Sequence, residues 1–483
     1  MNLSDLIDRN AAFTPAKTAL RFAGADISYA AFSQRIAAAA AALHAHGISD
    51  GDRVAILATN HPDYLVLLYA CARLGAILVP LNWRLATAEL DFILADAGAK
   101  LLIASSEFIQ PFRARPSLKT LALEEGWITT GNTHDPAANL TSPLLLVYTS
   151  GTTGRPKGAV LAQQALLTNG IMSQHCHAMT SNDHVLNVLP FFHVGGLNIQ
   201  TTPALHAGAT VTIHPRFDIA AMLTSFAEDR PTLLLTVPSV LQAMLAHPAW
   251  PTTDISSLRA ITTGSTIVPP ALIEAVAARG VPVLQVYGAT ETGPTSIYTR
   301  LGGDLSRAGS TGLAGLLCEA RIINEAGENV PDGTQGEVVI RGTNILTEYW
   351  RNPEATKASF TPDGWFRTGD MGTRDPDGYF TIHDRIKNMF VSGGENVYPA
   401  EIERVLLDHP AVADCAVIGI ADPKWQEVPK AFIIRRPGQT CTEDDLRTHV
   451  RAQLARFKVP SEIVFVDDLP RTALGKVQHF RLR

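Results

Sequence analysis

The sequence predicts a multidomain α/β protein. It has a large N-terminal domain of α/β sheets, a β-rich subdomain, and a small C-terminal α/β domain. Three observations predict this. Apolar runs of strand length alternate with helix-like segments along most of the chain. From about Gly309 to Gly342 the pattern changes to short strands separated by Gly, Asn and Asp turns. Helical and strand-like runs alternate again over the last hundred or so residues.

In chain order, Leu144-Leu145-Leu146-Val147-Tyr148 is a β-rich run that enters a Gly/Thr/Ser loop. Leu258 to Thr262 runs into Thr263-Gly264-Ser265, and Val281 to Val286 into Tyr287-Gly288-Ala289-Thr290-Glu291. Three strands ending in polar, Gly-bearing loops point to an α/β sheet with a site at the strand C-termini. Ala271 to Arg279 reads as a helix, with Leu272, Val276 and Arg279 on one side and its edge. Ala320 to Ile323 and Glu337 to Ile340 are the strands of the β-rich part. Pro399 opens a helix whose Ile402, Val405 and Leu406 share a face. Val412 to Ile420, Ala431 to Ile434 and Ile463 to Val466 read as strands, and Leu446, Val450 and Leu454 as a helical stripe. The charged stretch Asp384 to Asn388 marks the domain boundary, giving domains at 1–384 and 389–483.

The 483 residues allow two to four folding units. A hydrophobic content of 46% with 18% charged residues excludes a largely disordered chain. The net charge of −6 supplies no broad field for nucleic acid or anionic lipid. Cys71, Cys176, Cys318, Cys415 and Cys441 lie far apart, with no C-x-x-C pair. A disulfide scaffold and a thiolate zinc site are therefore not expected, which suits a reducing compartment. No stretch reads as a signal peptide or a membrane span, so a cytoplasmic protein is expected. The sequence leaves the oligomeric state open, a homodimer being one arrangement it allows.

The segment richest in chemistry is Thr149-Ser150-Gly151-Thr152-Thr153-Gly154-Arg155-Pro156-Lys157-Gly158. Its glycines permit close backbone approach, and four hydroxyls and two cations accompany them. That composition, directly after an apolar strand, suits a polyphosphate better than it suits an ordinary surface loop. It is not the P-loop pattern, because Pro156-Lys157-Gly158 stands where that motif needs Gly-Lys-Ser/Thr.

This segment resembles the signature loop of the adenylate-forming superfamily, which includes acyl-CoA synthetases. Further segments similar to the family's motifs follow in order: Tyr287 to Glu291, Gly336 to Gly342, Trp365 to Asp370, Asp384 to Lys387, Ser392 to Pro399, and Pro470 to Lys476. The ordered set spans essentially the whole chain. Four departures from the common pattern are Ala289, Asn388, Leu474 and the triplet Thr263-Gly264-Ser265, and none removes a charged group.

The resemblance implies ATP-dependent conversion of a carboxylic acid to an acyl-AMP, followed by transfer to the thiol of CoA, with ATP, Mg²⁺ and CoA as the small-molecule partners. It also implies the roles. Thr149, Ser150, Gly151, Thr152, Thr153, Gly154 and Lys157 are expected to hold the β- and γ-phosphates. Thr290 is expected on the α-phosphate, and Glu291 on Mg²⁺. Gly264, Ser265, Tyr287 and Gly288 are expected around adenine, and Asp370 with Arg385 on the ribose. Lys476 is expected at the α-phosphate during adenylation. Residues 385–388, with Lys387, correspond to the hinge about which the small, mobile domain turns to bring Gly393 and Gly394 to the thiol. Arg84, Trp425 and Phe457 match CoA contacts. Taken alone, Asp370 reads as a turn residue, Glu291 as part of a helix cap, Lys476 as an exposed tail lysine, and Trp425 and Phe457 as core. The ordered motifs favour the functional reading of the first three; the two aromatic residues stay open.

The acyl pocket is expected beneath Pro190-Phe191-Phe192-His193-Val194-Gly195-Gly196-Leu197. A histidine and apolar residues there disfavour an amino acid substrate. His193 is assigned to gate the acyl channel, against the alternative of an ordinary half-buried histidine. The chain looks most like bacterial feruloyl-CoA and fatty acyl-CoA synthetases. That implies an aromatic acid such as ferulate, with a medium- or long-chain fatty acid as the alternative. Two further readings stay open: an acyl-AMP ligase that loads a carrier protein, and a non-catalytic nucleotide-binding protein.

Overall fold

The computed structural model describes residues 1–115, 118–128, 138–149, 156–265, 268–305, 307, 309–392, 395–472 and 475–482. Seven strands build the site and are numbered here along the chain: β1 (Pro143–Thr149), β2 (Lys157–Ala162), β3 (Ala260–Gly264), β4 (Val283–Tyr287), β5 (Glu348–Tyr349), β6 (Phe366–Arg374) and β7 (Phe380–Arg385).

The fold class is the predicted one, with one correction. The three strands that end in Gly-bearing loops do not share a sheet. β3 and β4 are parallel neighbours in a nine-stranded sheet, whereas β1 lies in a seven-stranded sheet. There β1 runs parallel to Ile77–Pro80 on one side and forms an antiparallel hairpin with β2 on the other. The reason is local. The loop after β1 returns the chain directly into β2, so the open edge of β1 is taken before any later strand can reach it.

The two sheets share one core. Leu20, Val185, Val211 and Leu233 of the first and Val54, Leu78, Leu101 and Leu145 of the second belong to a single buried cluster. The helices Tyr29–Ala45 and Pro62–Leu74 contribute to that cluster, and nearly every residue of the second is buried. Ala39 to Ala42 are small enough to let the first helix approach the second closely. Burying a Leu or Val fully is worth roughly 1.5–3 kcal/mol, so this cluster fixes how the sheets sit.

The β-rich part is a four-stranded antiparallel sheet in the order Cys318–Ile323, Gly336–Gly342, β6, β7. It therefore extends past the predicted segment to Arg385. The small C-terminal domain holds a five-stranded sheet around the hairpin Val412–Asp422 and Gln426–Arg435. The helix Pro399–Leu407 buries Ile402, Val405 and Leu406 against it, as their spacing predicts. The helix Glu443–Arg451 buries Leu446 and Val450 but stops before Leu454.

The joint between the domains is built on Asp384. Its carboxylate accepts the N–H of Ala400 in the first turn of the small-domain helix (2.9 Å), the Asn388 amide (3.0 Å) and the N–H of Arg385 (2.6 Å). A carboxylate at a helix N-terminus also meets the positive end of the helix dipole. Asp384→Ala strands these buried donors and is expected to cost about 1–3 kcal/mol of stability. The midpoint of urea denaturation checks this, and an unchanged midpoint refutes it.

Candidate active site

Two clusters of polar side chains flank the segment Tyr287 to Glu291, and the first is centred on Glu291. The last pair of the β1–β2 hairpin places Thr149 opposite Lys157. β5 pairs with β2 on its far side, which brings Tyr349 beside the same hairpin. Tyr349 Oη donates to Glu291 Oε1 (2.9 Å), and Thr149 Oγ1 donates to that oxygen at 3.4 Å. Lys157 Nζ lies 5.6 Å from the centre of the Tyr349 ring. Burial and the neighbouring Glu291 carboxylate push the Tyr349 phenol up, so it stays a donor. Thr290 and Glu291 sit on a short 3₁₀ turn immediately after β4.

The second cluster is centred on Asp370, only 5% exposed. Asp370 and Arg385 are register partners on β6 and β7, and Arg385 Nε lies 2.6 Å from Asp370 Oδ1. Tyr287 Oη donates to Asp370 Oδ2 at 2.7 Å. Burial alone would lower the Arg385 guanidinium, but Asp370 and the other acidic groups nearby outweigh it and hold Arg385 above its ordinary value. The last loop of the small domain brings Lys476 to this cluster. Its ammonium is pushed down to about 8, first by burial, then by Arg385, with Lys387 adding and Asp370 opposing. That loop touches the large domain: a Cβ on Gly475 would lie 2.8 Å from Ser239 Oγ.

Between the clusters the backbone is packed too tightly for side chains. A Cβ on Gly288 would stand 1.7 Å from the carbonyl oxygen of Pro294, and one on Gly264 would stand 2.2 Å from that of Val286. Glycine is needed at both places for close approach of chain to chain. Ser265, just past β3, holds φ at +76°, a strained conformation for a residue with a side chain.

The structure thus brings Thr149, Lys157, Gly264, Ser265, Tyr287, Gly288, Thr290, Glu291, Asp370, Arg385 and Lys476 together, from the ends of β1, β3, β4 and β7, the start of β2, the middle of β6 and the loops beside them. Ser150, Gly151, Thr152, Thr153, Gly154, Gly393, Gly394 and Leu474 lie outside the described residues. His193 is next to the π-helix Gly195–Thr201, its ring 4.7 Å from that of Phe192. Its Nε2 is buried without a partner among the described residues, and burial, then Arg84, lowers the imidazole to about 4, so it is neutral. Arg84 Cζ lies 4.4 Å from the Trp83 ring and 5.6 Å from that of Phe192. Trp425 is 47% exposed on the turn of the small-domain hairpin, so it is not core. Phe457 packs against the small-domain core, which favours the structural reading there.

One site residue and one site contact escape sequence reasoning. Tyr349 lies in no recognisable motif, and only the β2–β5 pairing carries it to Glu291. Tyr287 is expected at the site, but the bond from its hydroxyl to Asp370 is not. A phenol two positions before Ala289-Thr290-Glu291 was the available signal.

The architecture defines a two-domain α/β protein in which two polar clusters flank the segment Tyr287 to Glu291. The chain belongs to the AMP-binding enzyme family, which it matches over residues 7–350, with the AMP-binding enzyme C-terminal domain over 401–476. Within it, the chain is an AMP-forming acid–CoA ligase. It is 45% identical to an indoleacetate–CoA ligase of Aromatoleum aromaticum, over 99% of this chain and 97% of the relative. It is 41% identical to a feruloyl-CoA synthase of an Amycolatopsis species, over 97% and 96%. ATP-bound MatB from Rhodopseudomonas palustris superposes with a TM-score of 0.94 at 32% identity, over 100% of this chain and 98% of that one. The apo form of MatB gives 0.83 at 33% identity, over the same shares of both chains. No helix among the described residues is long and apolar enough to cross a membrane.

The Lys476 environment makes a prediction about stability. A lysine depressed to about 8 in the native state and ordinary in the unfolded chain binds fewer protons when folded over the range between. Raising the pH from about 8 to 10.5 therefore stabilises the native state relative to Lys476→Met, by about 1–3 kcal/mol. Denaturant melts of both proteins at the two ends of that range check it; parallel curves refute it.

Proposed function

We propose that the chain activates an aromatic carboxylic acid with ATP and passes the acyl group to CoA. The observation that carries the first half is Lys476, brought by the small domain to Asp370 and Arg385 in the large one. The closer superposition on ATP-bound than on apo MatB supports the same arrangement for this chain.

In adenylation a carboxylate oxygen attacks the α-phosphorus of ATP. A C–O–P linkage forms, the bond from the α-phosphorus to the bridging oxygen breaks, and pyrophosphate leaves. Negative charge gathers on phosphate oxygens in the transition state, so fixed cations and donors there lower the barrier. Thr149, Lys157 and the hydroxyls of Ser150, Thr152 and Thr153 hold the β- and γ-phosphates. Thr290 and the Lys476 ammonium hold the α-phosphate. Asp370 accepts the ribose hydroxyls, with Arg385 orienting it. Gly264, Ser265, Tyr287 and Gly288 frame adenine.

Among the described residues no group of three or more His, Cys, Asp or Glu side chains can hold a metal alone. Glu291 fits the remaining possibility, a single hard carboxylate sharing Mg²⁺ with phosphate oxygens. Bound there, the ion supplies charge neutralisation at the phosphates.

In the second half, the small domain (389–483) turns on residues 385–388 against the large domain (1–384) and presents Gly393 and Gly394. The CoA thiolate then attacks the acyl carbon, a C–S bond forms and AMP leaves. Arg84 contacts the CoA nucleotide, and exposed Trp425 is the better placed of the two aromatic residues to stack on its adenine.

For the acid, the support is the neutral His193 amid Phe191, Phe192 and Val194. It offers no charge to an ammonium or a second carboxylate. The two relatives above are named for acids that carry aromatic rings, indoleacetate and ferulate. Pyrophosphate release with indole-3-acetate, ferulate, phenylacetate, benzoate, octanoate and palmitate tests this. The aromatic acids are expected to exceed the fatty acids at least tenfold in kcat/KM, and a fatty acid in the lead would overturn it.

Lys476→Ala is expected to lower adenylation at least a hundredfold while leaving CoA transfer from supplied acyl-AMP within a few fold. In the wild-type enzyme, kcat/KM for adenylation falls as pH rises through about 8, where the free enzyme's Lys476 loses its proton. Equal loss of both half-reactions in the variant would assign Lys476 a structural role.

A further inference from the structure

Directly after His193 the chain enters the π-helix Gly195–Thr201, packed against the helix Gln163–His177. Departures from α-geometry of this kind cost stability and recur at functional sites. Gln200 lies on it, 1% exposed. Its Oε1 is buried with no hydrogen-bond partner among the described residues. An amide could in principle turn over to satisfy itself, but here a relay of hydrogen bonds forbids it.

The relay starts at a carbonyl. His177 Nδ1 lies 2.7 Å from Ser173 O, which can only accept, so Nδ1 carries the hydrogen. The ring is fully buried, and burial lowers it to about 4, so it is neutral and Nε2 is an acceptor. Thr262 Oγ1, 2.8 Å from Nε2, must spend its only hydrogen there. The Gln200 atom 3.3 Å from Thr262 Oγ1 must then donate, which makes it Nε2 and leaves Oε1 as an acceptor. The same logic holds two residues earlier: Asn198 Nδ2 donates to Gly293 O at 3.2 Å and leaves its Oδ1 buried and unpartnered among the described residues. A buried acceptor without a donor costs about 1–3 kcal/mol, and here the surrounding bonds fix its orientation instead of relieving it.

We infer that Gln200 Oε1 selects the acid: the substrate is an aromatic carboxylic acid whose ring carries a hydrogen-bond donor, a ring N–H or a phenolic O–H, and Gln200 accepts it. This rests on the acyl-ligase reading above and names its substrate class more narrowly. Thr262 and His177 are positioning residues, because they act only through the Gln200 amide. A site built to accept a donor discriminates strongly against an isostere without one, since binding that isostere leaves the acceptor unpaired.

The test compares kcat/KM for pyrophosphate release in two isosteric pairs: indole-3-acetate against 1-benzothiophene-3-acetate, and ferulate against 3,4-dimethoxycinnamate. The wild-type enzyme is expected to prefer the donor-bearing member of at least one pair tenfold or more; which pair responds tells ring N–H from phenol. Gln200→Met, of similar length and without the amide, brings that ratio to within about twofold. Thr262→Val frees the amide to turn and reduces the preference without touching the acid. Wild-type ratios near one in both pairs, as a water held on Oε1 would give, overturn the inference with no variant needed. A ratio unchanged in Gln200→Met overturns it as well. Turnover of these acids without discrimination removes this inference alone, whereas no pyrophosphate from any acid removes the acyl-ligase reading with it.

Discussion

A largely desolvated ammonium with no ion pair among the described residues is the constraint on which the site depends. Arg385 is already matched by Asp370, with Nε and Oδ1 2.6 Å apart. Lys476 then arrives from the other domain beside Arg385 and Lys387, which oppose its charge; Asp370 and Asp384 favour it but do not outweigh them and burial. Such a group either loses its proton or waits for an anion. A depression to about 8 stops short of the first outcome, so near neutral pH most of the lysine keeps its charge. The Lys476 charge is therefore held at the domain boundary at a cost, which an anion bound as proposed above would relieve.

The far side of the site is arranged on the opposite principle. Around His193 and the π-helix the buried groups are neutral: an imidazole lowered to about 4, two amides and threonine hydroxyls. Desolvating an amide costs far less than desolvating an ion, so several can be buried together. What they supply is direction. The chain from Ser173 O through His177 and Thr262 to Gln200 contains no proton that can be reassigned without breaking a bond. Orientation fixed this way discriminates between acids that differ by one hydrogen-bonding atom, which an apolar pocket of the same shape does poorly.

How much of this was legible in the sequence varied with the range of the interaction. Strand-to-loop junctions were readable, because an apolar run followed by glycine and hydroxyl residues is a local signal, and Thr149, Tyr287 and Glu291 all stand at such junctions. The helix face of Ile402, Val405 and Leu406 was readable for the same reason. The division into two sheets was not, since it depends on β2 taking the free edge of β1, a choice of partner that leaves no mark on β1 itself. Tyr349 was invisible because a two-residue strand has no periodicity, and the relay to Gln200 because its members lie on three separate elements. For Trp425 and Phe457 the sequence left two readings open; exposure on a turn and packing in a core separate them.

The joint itself restricts how the small domain can turn. Arg385 ends β7 and is held to Asp370 on β6, so it belongs to the large domain's sheet. Residues Ile386–Asn388 form a single 3₁₀ turn before the next strand, Phe390–Ser392. A rotation that begins after Arg385 can leave the Asp370 pair untouched, but it must withdraw Ala400 from Asp384. That hydrogen bond would thus act as a catch in the domain rotation proposed above. Because Asp384 is buried, and burial raises its carboxyl above the ordinary value, the catch holds a charge that gains from solvation whenever the joint opens. Under the proposed two-step reaction, a contact of this kind would hold the small domain in the arrangement seen here and release it at the cost of one hydrogen bond.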